Sequence, residues 1–185
     1  VRRADDINRV HEIMDEEGRI LDAGETGEVV LRGPTMMDRY LDDEAATAEI
    51  QKFGWHHTGD IGRRDEDGYF YITDRKRDLI ISGGFNIFPF EVESALMQHP
   101  AVQDCAVIGV PDDKWGEAVK ACVQLKPGAA ADATTLIDWC KTRIGSMKAP
   151  KSVDFVDNLP RSPVGKVLKR DLRAPYWADR TRGVG

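Results

Sequence analysis

The sequence predicts an α+β fold, in which a small mixed or antiparallel sheet with helices follows a β-rich segment. Short apolar runs bounded by Gly, Asp and Pro recur along the chain, and helical segments separate only some of them. Strict β-α-β alternation is missing, so a doubly wound parallel sheet is not expected. The charge also changes: residues 1–74 hold nine Lys or Arg and nineteen Asp or Glu, whereas residues 75–185 hold seventeen and thirteen. We therefore expect two structural units.

The first part of the chain is predicted to be mostly strand. Residues 27–33 (GEVVLRG) are typical of a strand and are closed by Pro34, and residues 43–52 combine good helix formers with an acidic first turn. The Asp-Gly step at the end of residues 65–68 predicts the bend of a hairpin. The predicted elements are strands at 7–14, 27–33, 56–63 and 69–73 and a helix at 43–52.

The second part, after a charged break at residues 74–78, is predicted to mix strands and helices. Gly83 and Gly84 separate two apolar runs and predict a second hairpin. Pro89 suits the first turn of a helix, and Asp132 is a favourable N-cap residue for another. The predicted elements are strands at 79–82, 85–88, 101–110, 118–126 and 152–156, helices at 89–98, 132–144 and 167–173, and a proline-containing loop at 159–165.

Composition excludes several classes of protein. Of the 185 residues 41% are hydrophobic, but no apolar run reaches the roughly 18 residues of a membrane span. The opening VRRADDINRV lacks the apolar core of a secretory signal. No nucleic-acid-binding signature accompanies the modest basic charge of the second part, which could face either phosphates or solvent. Because the chain begins without Met, we expect it to be a piece of a longer protein.

The three cysteines indicate a reducing compartment. Cys105, Cys122 and Cys140 are odd in number and have no CxxC spacing, which argues against full disulfide pairing and against a zinc site. Each lies in an apolar stretch, so we expect buried, reduced thiols in a cytoplasmic protein.

Lys166 ends a Pro- and Gly-containing segment, PRSPVGK, and is the first candidate functional residue. Its ammonium is a compact charge suited to phosphate oxygens. The segment is not a P-loop, because that motif requires glycine where this chain has Pro160 and Ser or Thr where it has Val167. A solvated surface lysine remains the alternative.

Asp60 ends the segment GWHHTGD and is the second candidate. Its short carboxylate could accept hydrogen bonds from two sugar hydroxyls, although Gly-Asp is also ordinary turn chemistry. The adjacent His56 and His57 do not predict a metal site, because neighbours on a strand point to opposite faces.

The glycine pair Gly83-Gly84 has two open interpretations. It could serve only a tight turn that requires positive φ. It could also let a ligand pass close to the backbone, because no Cβ obstructs it.

Taken together, these segments resemble the adenylate-forming (AMP-binding) enzyme superfamily, in its acyl-CoA synthetase branch. The resemblance is carried, in order, by GEVVLRGP (27–34), GWHHTGD (54–60), DGYFYITDRKRDLIISGGFNIFPFEVE (67–93), HPAVQDCAVIGVPDDKWGE (99–117) and LPRSPVGKVLKRDLR (159–173). Nothing in the chain resembles the phosphate loop of the family's large N-terminal domain. The resemblance therefore implies the C-terminal portion alone, with 1–73 closing the large domain, 74–77 as hinge and 78–185 as the mobile C-terminal domain.

The resemblance also implies roles for individual residues. Asp60 and Arg75 match the ATP-binding acid and arginine near the ribose and phosphates. Lys166 matches the catalytic lysine that bridges the substrate carboxylate and the α-phosphate, and Arg77 occupies the hinge position. Four further residues match positions that bind CoA or its pantetheine arm: Gly83, Gly84, Trp115 and Lys151.

The implied activity of the whole enzyme is that of an acid–thiol ligase, which forms an acyl-adenylate from a carboxylic acid and ATP and then an acyl-CoA. ATP, CoA and Mg²⁺ are implied, with the Mg²⁺ ligand in the N-terminal domain, and the chain alone is expected to be inactive. Two alternatives remain: an adenylation domain that loads a carrier-protein thiol, and a non-enzymatic interaction domain.

Overall fold

The computed structural model describes residues 2–3 and 10–178, with side chains from residue 10 onward. The chain divides into two compact units, the first ending at Lys76 and the second beginning at Arg77. Each unit contains its own sheet, and helices accompany both. The predicted α+β class is confirmed.

The first unit is built on a six-stranded antiparallel sheet with strand order β1-β6-β5-β3-β2, in which β4 also pairs with β5. Its small core includes Ile13, Val29 and Phe70. Residues 7–9 of the predicted first strand lie outside the described residues. The strands are β1 (Arg2–Arg3), β2 (Val10–Met14), β3 (Thr26–Arg32), β4 (Gln51–Lys52), β5 (Trp55–Arg64) and β6 (Tyr69–Arg75).

The helix of the first unit, α1 (Glu44–Ile50), is shorter than predicted. Asp43 caps its first turn by accepting a hydrogen bond from the Ala46 N–H at 2.9 Å. The predicted helix continued to residue 52, but residues 51–52 are strand β4. Phe53 and Gly54 both have positive φ, 54° and 74°, which turns the chain back onto β5.

The second unit has a five-stranded sheet with strand order β11-β10-β7-β8, and β9 pairs with β10. The long hairpin of β9 and β10 is antiparallel, whereas β11 lies parallel to β10. The strands are β7 (Ile80–Ser82), β8 (Phe85–Ile87), β9 (Val102–Asp112), β10 (Gly116–Leu125) and β11 (Ser152–Phe155). The helices are α2 (Pro89–Met97), α3 (Ala133–Lys148) and α4 (Lys169–Arg173).

Both faces of the β9–β10 hairpin are buried, because alternate side chains point to opposite faces. Val107, Val119 and Ala121 pack in the core formed with α2 and α3. Ala106, Ile108 and Cys122 pack in a second core, which Leu172 of α4 covers. The near-continuous apolar composition of these strands follows from this two-sided burial.

Two helices of the second unit differ from prediction at their ends. α3 continues beyond the predicted end at 144, but Gly145 interrupts it with φ 80° and ψ 159°. α4 begins at Lys169 rather than at 167, because Val167 pairs with Arg161 in an isolated β-bridge. Within the described part of the chain, no helix has the length and apolar character needed to span a bilayer.

The prediction of buried thiols is confirmed, because Cys105, Cys122 and Cys140 are all unpaired and buried. Burial raises the pKa of each thiol, that of Cys140 to about 11, so these residues remain protonated near neutral pH.

Candidate active site

Asp60 and Arg75 face each other across neighbouring strands. The register of β5 and β6 pairs the two residues directly, and Nε of Arg75 lies 2.8 Å from Oδ1 of Asp60. An Nη atom of Arg75 also donates to the Thr58 carbonyl at 3.5 Å. The structure therefore brings together both residues predicted to bind the nucleotide.

A bulge in β5 presents Asp60 at this position. Ile61 pairs with Glu28 of β3 and His57 pairs with Val30, so Thr58, Gly59 and Asp60 together oppose a single residue of β3. Gly59 has a φ of 70°, and a Cβ on it would meet nothing within 4 Å. Glycine is therefore favoured here by backbone conformation rather than by lack of space.

Glu28 is a buried carboxylate behind this bulge that the sequence reasoning did not select. Its Oε1 accepts from the Gly59 N–H at 3.0 Å. Its Oε2 lies 3.0 Å from Nδ1 of His57 and 3.0 Å from Nζ of Lys76. An acidic residue beside a buried apolar run was the only signal in the sequence, and it does not indicate which donors reach the carboxylate.

The electrostatics of Glu28 reflect opposing effects. Burial raises the pKa of the Glu28 carboxyl, but hydrogen bonds from His57, Lys76 and Gly59 outweigh burial and hold that pKa below its usual range. Glu28 is therefore ionised at neutral pH, and a buried charge of this kind depends on its donors.

The two adjacent histidines have separate environments. His57 places Nδ1 near Glu28 and Nε2 3.2 Å from the Lys52 carbonyl. Burial, followed by the proximity of His57, lowers the pKa of His56. Among residues 10–178, no group of three or more His, Cys, Asp or Glu side chains is arranged to hold a metal ion.

The predicted hinge, residues 74–77, spans the end of β6 and the start of a 3₁₀ turn at Lys76–Asp78. Nη1 of Arg173 in α4 donates to the Arg77 carbonyl at 3.1 Å and lies 3.0 Å from Oδ1 of Asp78. These contacts attach the first residues of the second unit to its last described helix.

Gly83 and Gly84 form the turn between β7 and β8, with φ of 59° and 82°. The Gly83 N–H donates to the Trp115 carbonyl at 2.8 Å. A Cβ on Gly83 would lie 2.5 Å from the Trp115 ring, whereas one on Gly84 would meet nothing within 4 Å. The structure therefore places three of the four predicted CoA-binding residues in one turn region.

Lys151, the fourth predicted CoA-binding residue, extends toward the end of α3. Its Nζ donates to the Ser146 carbonyl at 2.7 Å, and its backbone N–H donates to the Val119 carbonyl at 2.8 Å. The Lys151 ammonium is therefore bonded at the helix end rather than at the glycine turn.

Lys166 lies on a small hairpin closed by the bridge between Arg161 and Val167. Ser162 and Lys166 are joined twice, by the Ser162 N–H to the Lys166 carbonyl at 2.8 Å and by the Lys166 N–H to Oγ of Ser162 at 3.1 Å. Gly165 has a φ of 83°, and Arg161 pairs with Asp104 of β9. The backbone of Lys166 is thus well supported, while its side chain is exposed.

The chain is similar to known proteins over most of its length. Residues 91–166 match the family of the AMP-binding enzyme C-terminal domain. The chain is 48% identical over 159 residues to a feruloyl-CoA synthase of an Amycolatopsis species, a match that covers 86% of this chain and 32% of that relative. It is 42% identical over 172 residues to the fatty acid–[acyl-carrier-protein] ligase ScoC of Streptomyces coeruleorubidus, covering 93% and 33%.

Among solved structures, the chain is similar to ATP-bound MatB from Rhodopseudomonas palustris. The TM-score is 0.86 at 37% identity, and the match covers 91% of this chain and 34% of that one. The chain spans about a third of the length of the curated relatives that it matches.

Proposed function

The chain belongs to the adenylate-forming (AMP-binding) enzyme superfamily, as part of its C-terminal region, and from this premise we propose that the full-length protein is an ATP-dependent carboxylic acid:CoA ligase. The observation that carries the proposal is the Asp60–Arg75 pair, held at 2.8 Å beside a bulge in β5. A carboxylate and a guanidinium together offer acceptors for ribose hydroxyls and donors for phosphate oxygens.

In the proposed first half-reaction, an oxygen of the substrate carboxylate attacks the α-phosphorus of ATP and pyrophosphate leaves. Asp60 accepts hydrogen bonds from the ribose hydroxyls, and Arg75 donates to the nucleotide. Lys166 offsets the negative charge that builds up on the transferring phosphoryl group. Its exposed side chain on a hydrogen-bonded hairpin suits this role, because the backbone is fixed while the ammonium extends outward.

In the proposed second half-reaction, the thiol of CoA gives up its proton to solvent and its sulfur bonds to the acyl carbon, while the acyl C–O bond breaks and AMP leaves. The Gly83–Gly84 turn lies beside the pantetheine arm, and Trp115 and Lys151 contact the rest of CoA. We propose that Arg77 is the pivot about which the C-terminal domain turns between the two half-reactions. The open space next to Gly84 supports the placement of the pantetheine arm at this turn, since a ligand can approach the backbone there.

Transfer to a carrier-protein thiol is the second candidate, and the ScoC match favours it. The two acceptors share the adenylation step and differ only in the thiol. A non-enzymatic interaction domain is the third candidate, and it predicts no nucleotide chemistry at all.

We assign no Mg²⁺ ligand to residues 10–178, and we propose that Mg²⁺ accompanies ATP. The three buried free thiols support a cytoplasmic location.

Acid-dependent exchange of label between pyrophosphate and ATP tests the proposal in the full-length protein, with ferulate and a series of fatty acids as substrates. We expect exchange with at least one acid, and a marked loss in Asp60→Asn. Omission of CoA leaves exchange intact, whereas addition of CoA or of an acyl carrier protein releases AMP and identifies the acceptor. Exchange that does not depend on an acid, or that is unchanged in Asp60→Asn, would contradict the proposal.

A further inference from the structure

Glu28 connects three segments of the first unit although the proposed reaction gives it no part. Only 7% of the residue is exposed. Its three partners come from β5, from the bulge in β5 and from the turn that follows β6, each at 3.0 Å. A buried carboxylate with three donors is costly to assemble, because each donor must be held in place.

The positions of two donors indicate what the carboxylate does. Gly59 immediately precedes Asp60, and Lys76 immediately follows Arg75. Glu28 therefore holds the chain neighbour of each member of the Asp60–Arg75 pair. The hydrogen bonds of the Glu28 carboxylate go to His57, Gly59 and Lys76 and not to Asp60 or Arg75. Any effect of Glu28 on the nucleotide therefore passes through the backbone that joins these neighbours to Asp60 and Arg75.

The negative charge of Glu28 matters more than its shape. A glutamine at this position keeps the volume but has only one acceptor oxygen, and its amide N–H₂ would face donors on His57 or Lys76. Loss of a charge-assisted hydrogen bond to a buried acceptor leaves the donor of that bond without its protein partner. The bulge and the end of β6 would then be free to shift relative to each other.

We propose that Glu28 is a positioning residue for the nucleotide: by holding Gly59 and Lys76 it sets the separation and direction of the Asp60 and Arg75 side chains before ATP binds. This inference rests on the proposed function, because it assumes that the Asp60–Arg75 pair binds ATP. Pre-organisation of this kind strengthens binding by reducing the ordering that the ligand must induce.

The test measures the dissociation constant of ATP by calorimetry, and the KM for ATP and kcat in pyrophosphate exchange, on the full-length protein. We expect Glu28→Gln to raise both the dissociation constant and KM about tenfold, with kcat changed less than about threefold. The matched control is Glu12→Gln, which removes the Glu12–Arg64 ion pair of the same sheet, at 3.0 Å, without touching the bulge. Equal effects of the two variants would overturn the proposal.

A double variant determines whether Glu28 acts through Asp60. In an Asp60→Asn background, Glu28→Gln should add less than about twofold to the dissociation constant, because the group that it positions is already impaired. A full tenfold addition would overturn the proposal. The dissociation constant of ATP does not depend on turnover. If the full-length protein shows no exchange activity but Glu28→Gln still weakens ATP binding, the ligase function fails and the role of Glu28 in positioning is upheld.

Substitutions of Lys76 keep the test decisive if Glu28→Gln does not fold. Lys76 is 42% exposed, so Lys76→Met should be tolerated, and it should weaken ATP binding in the same direction by a smaller factor. Lys76→Arg retains a cation and should restore affinity to within about twofold of wild type. Unchanged ATP affinity in Lys76→Met would contradict the link between the end of β6 and the nucleotide.

Discussion

Lys166 shows how a single exposed side chain can be supported without being buried. Its carbonyl and N–H are both bonded to Ser162, and Arg161 anchors the hairpin to Asp104. The ammonium itself is directed by none of these bonds. Removal of the side chain beyond Cβ therefore leaves the supporting contacts in place.

We predict that Lys166→Ala in the full-length protein slows adenylate formation by about a hundredfold or more, because the proposed charged contact to the transferring phosphoryl group would be lost. Thioester formation from supplied acyl-adenylate should change little, and so should the melting temperature. The control is Arg170→Ala, which removes an exposed cation of the same unit. Equal loss of both half-reactions at unchanged stability would exclude the proposed division of roles.

Gly84 allows a test of the glycine turn at the level of one methyl group. A Cβ there meets no protein atom within 4 Å, so only the positive φ of 82° opposes alanine, at a cost of about 1 kcal/mol. We predict that Gly84→Ala raises the KM for CoA about tenfold and leaves adenylate formation unchanged, because the methyl group occupies the space proposed for pantetheine.

Gly128→Ala is the control for Gly84→Ala. Gly128 has a φ of 75°, lies in the same unit and also has nothing within 4 Å of its Cβ position. The two variants should lose similar stability in urea unfolding, and only Gly84→Ala should affect CoA. A similar KM for CoA in both would remove the support for a pantetheine-binding turn.

At the scale of elements, local chemistry predicted most of the boundaries. Asp132 caps α3 by accepting from the Thr135 N–H at 2.7 Å, and Pro89 opens α2. The paired glycines turn β7 into β8 as their φ requirement indicates. These features depend on residues close in sequence, which is why the sequence alone predicts them.

Long-range pairing accounts for what the sequence did not predict. At the bulge, Thr58–Asp60 of β5 oppose a single residue of β3, a register that depends on strands far apart in sequence. The Glu28 carboxylate accepts a hydrogen bond from the N–H of Gly59, which lies 31 residues further along the chain. Gly83 is likewise constrained by Trp115, which lies on the loop between β9 and β10. Resemblance selected the candidate residues, whereas the partners that hold them became visible only in the folded chain.

The 3₁₀ turn at Lys76–Asp78 is the element in which the pivot is proposed. Proline at 77 would fix φ near about −65° and would restrict Lys76 as well. We predict that Arg77→Pro in the full-length protein preserves pyrophosphate exchange at saturating ATP, where any loss of ATP affinity through Lys76 is masked, and slows thioester formation at least tenfold. Arg77→Ala, which retains backbone freedom, should affect neither; equal effects of Arg77→Pro on both half-reactions would exclude a pivot here.

At the scale of the whole molecule, the chain consists of two compact units. It spans about a third of the length of the curated relatives that it matches. Catalysis by positioning requires all reacting groups to be held together. We predict that the isolated 185-residue chain folds but catalyses no acid-dependent pyrophosphate exchange, even with millimolar ATP. Measurable exchange by the purified chain would show that the groups described here suffice.

Following a carboxylate oxygen through the reaction shows whether the full-length protein activates its acid as an acyl-adenylate. The acid is labelled with ¹⁸O in its carboxylate, the reaction is completed with CoA, and the nucleotide product is analysed by mass spectrometry. Attack on the α-phosphorus makes a substrate oxygen the bridging atom, and cleavage of the acyl C–O bond by the thiol leaves that oxygen on AMP. We expect one ¹⁸O in each AMP formed; unlabelled AMP, or ADP with the label in inorganic phosphate, would contradict activation as an acyl-adenylate.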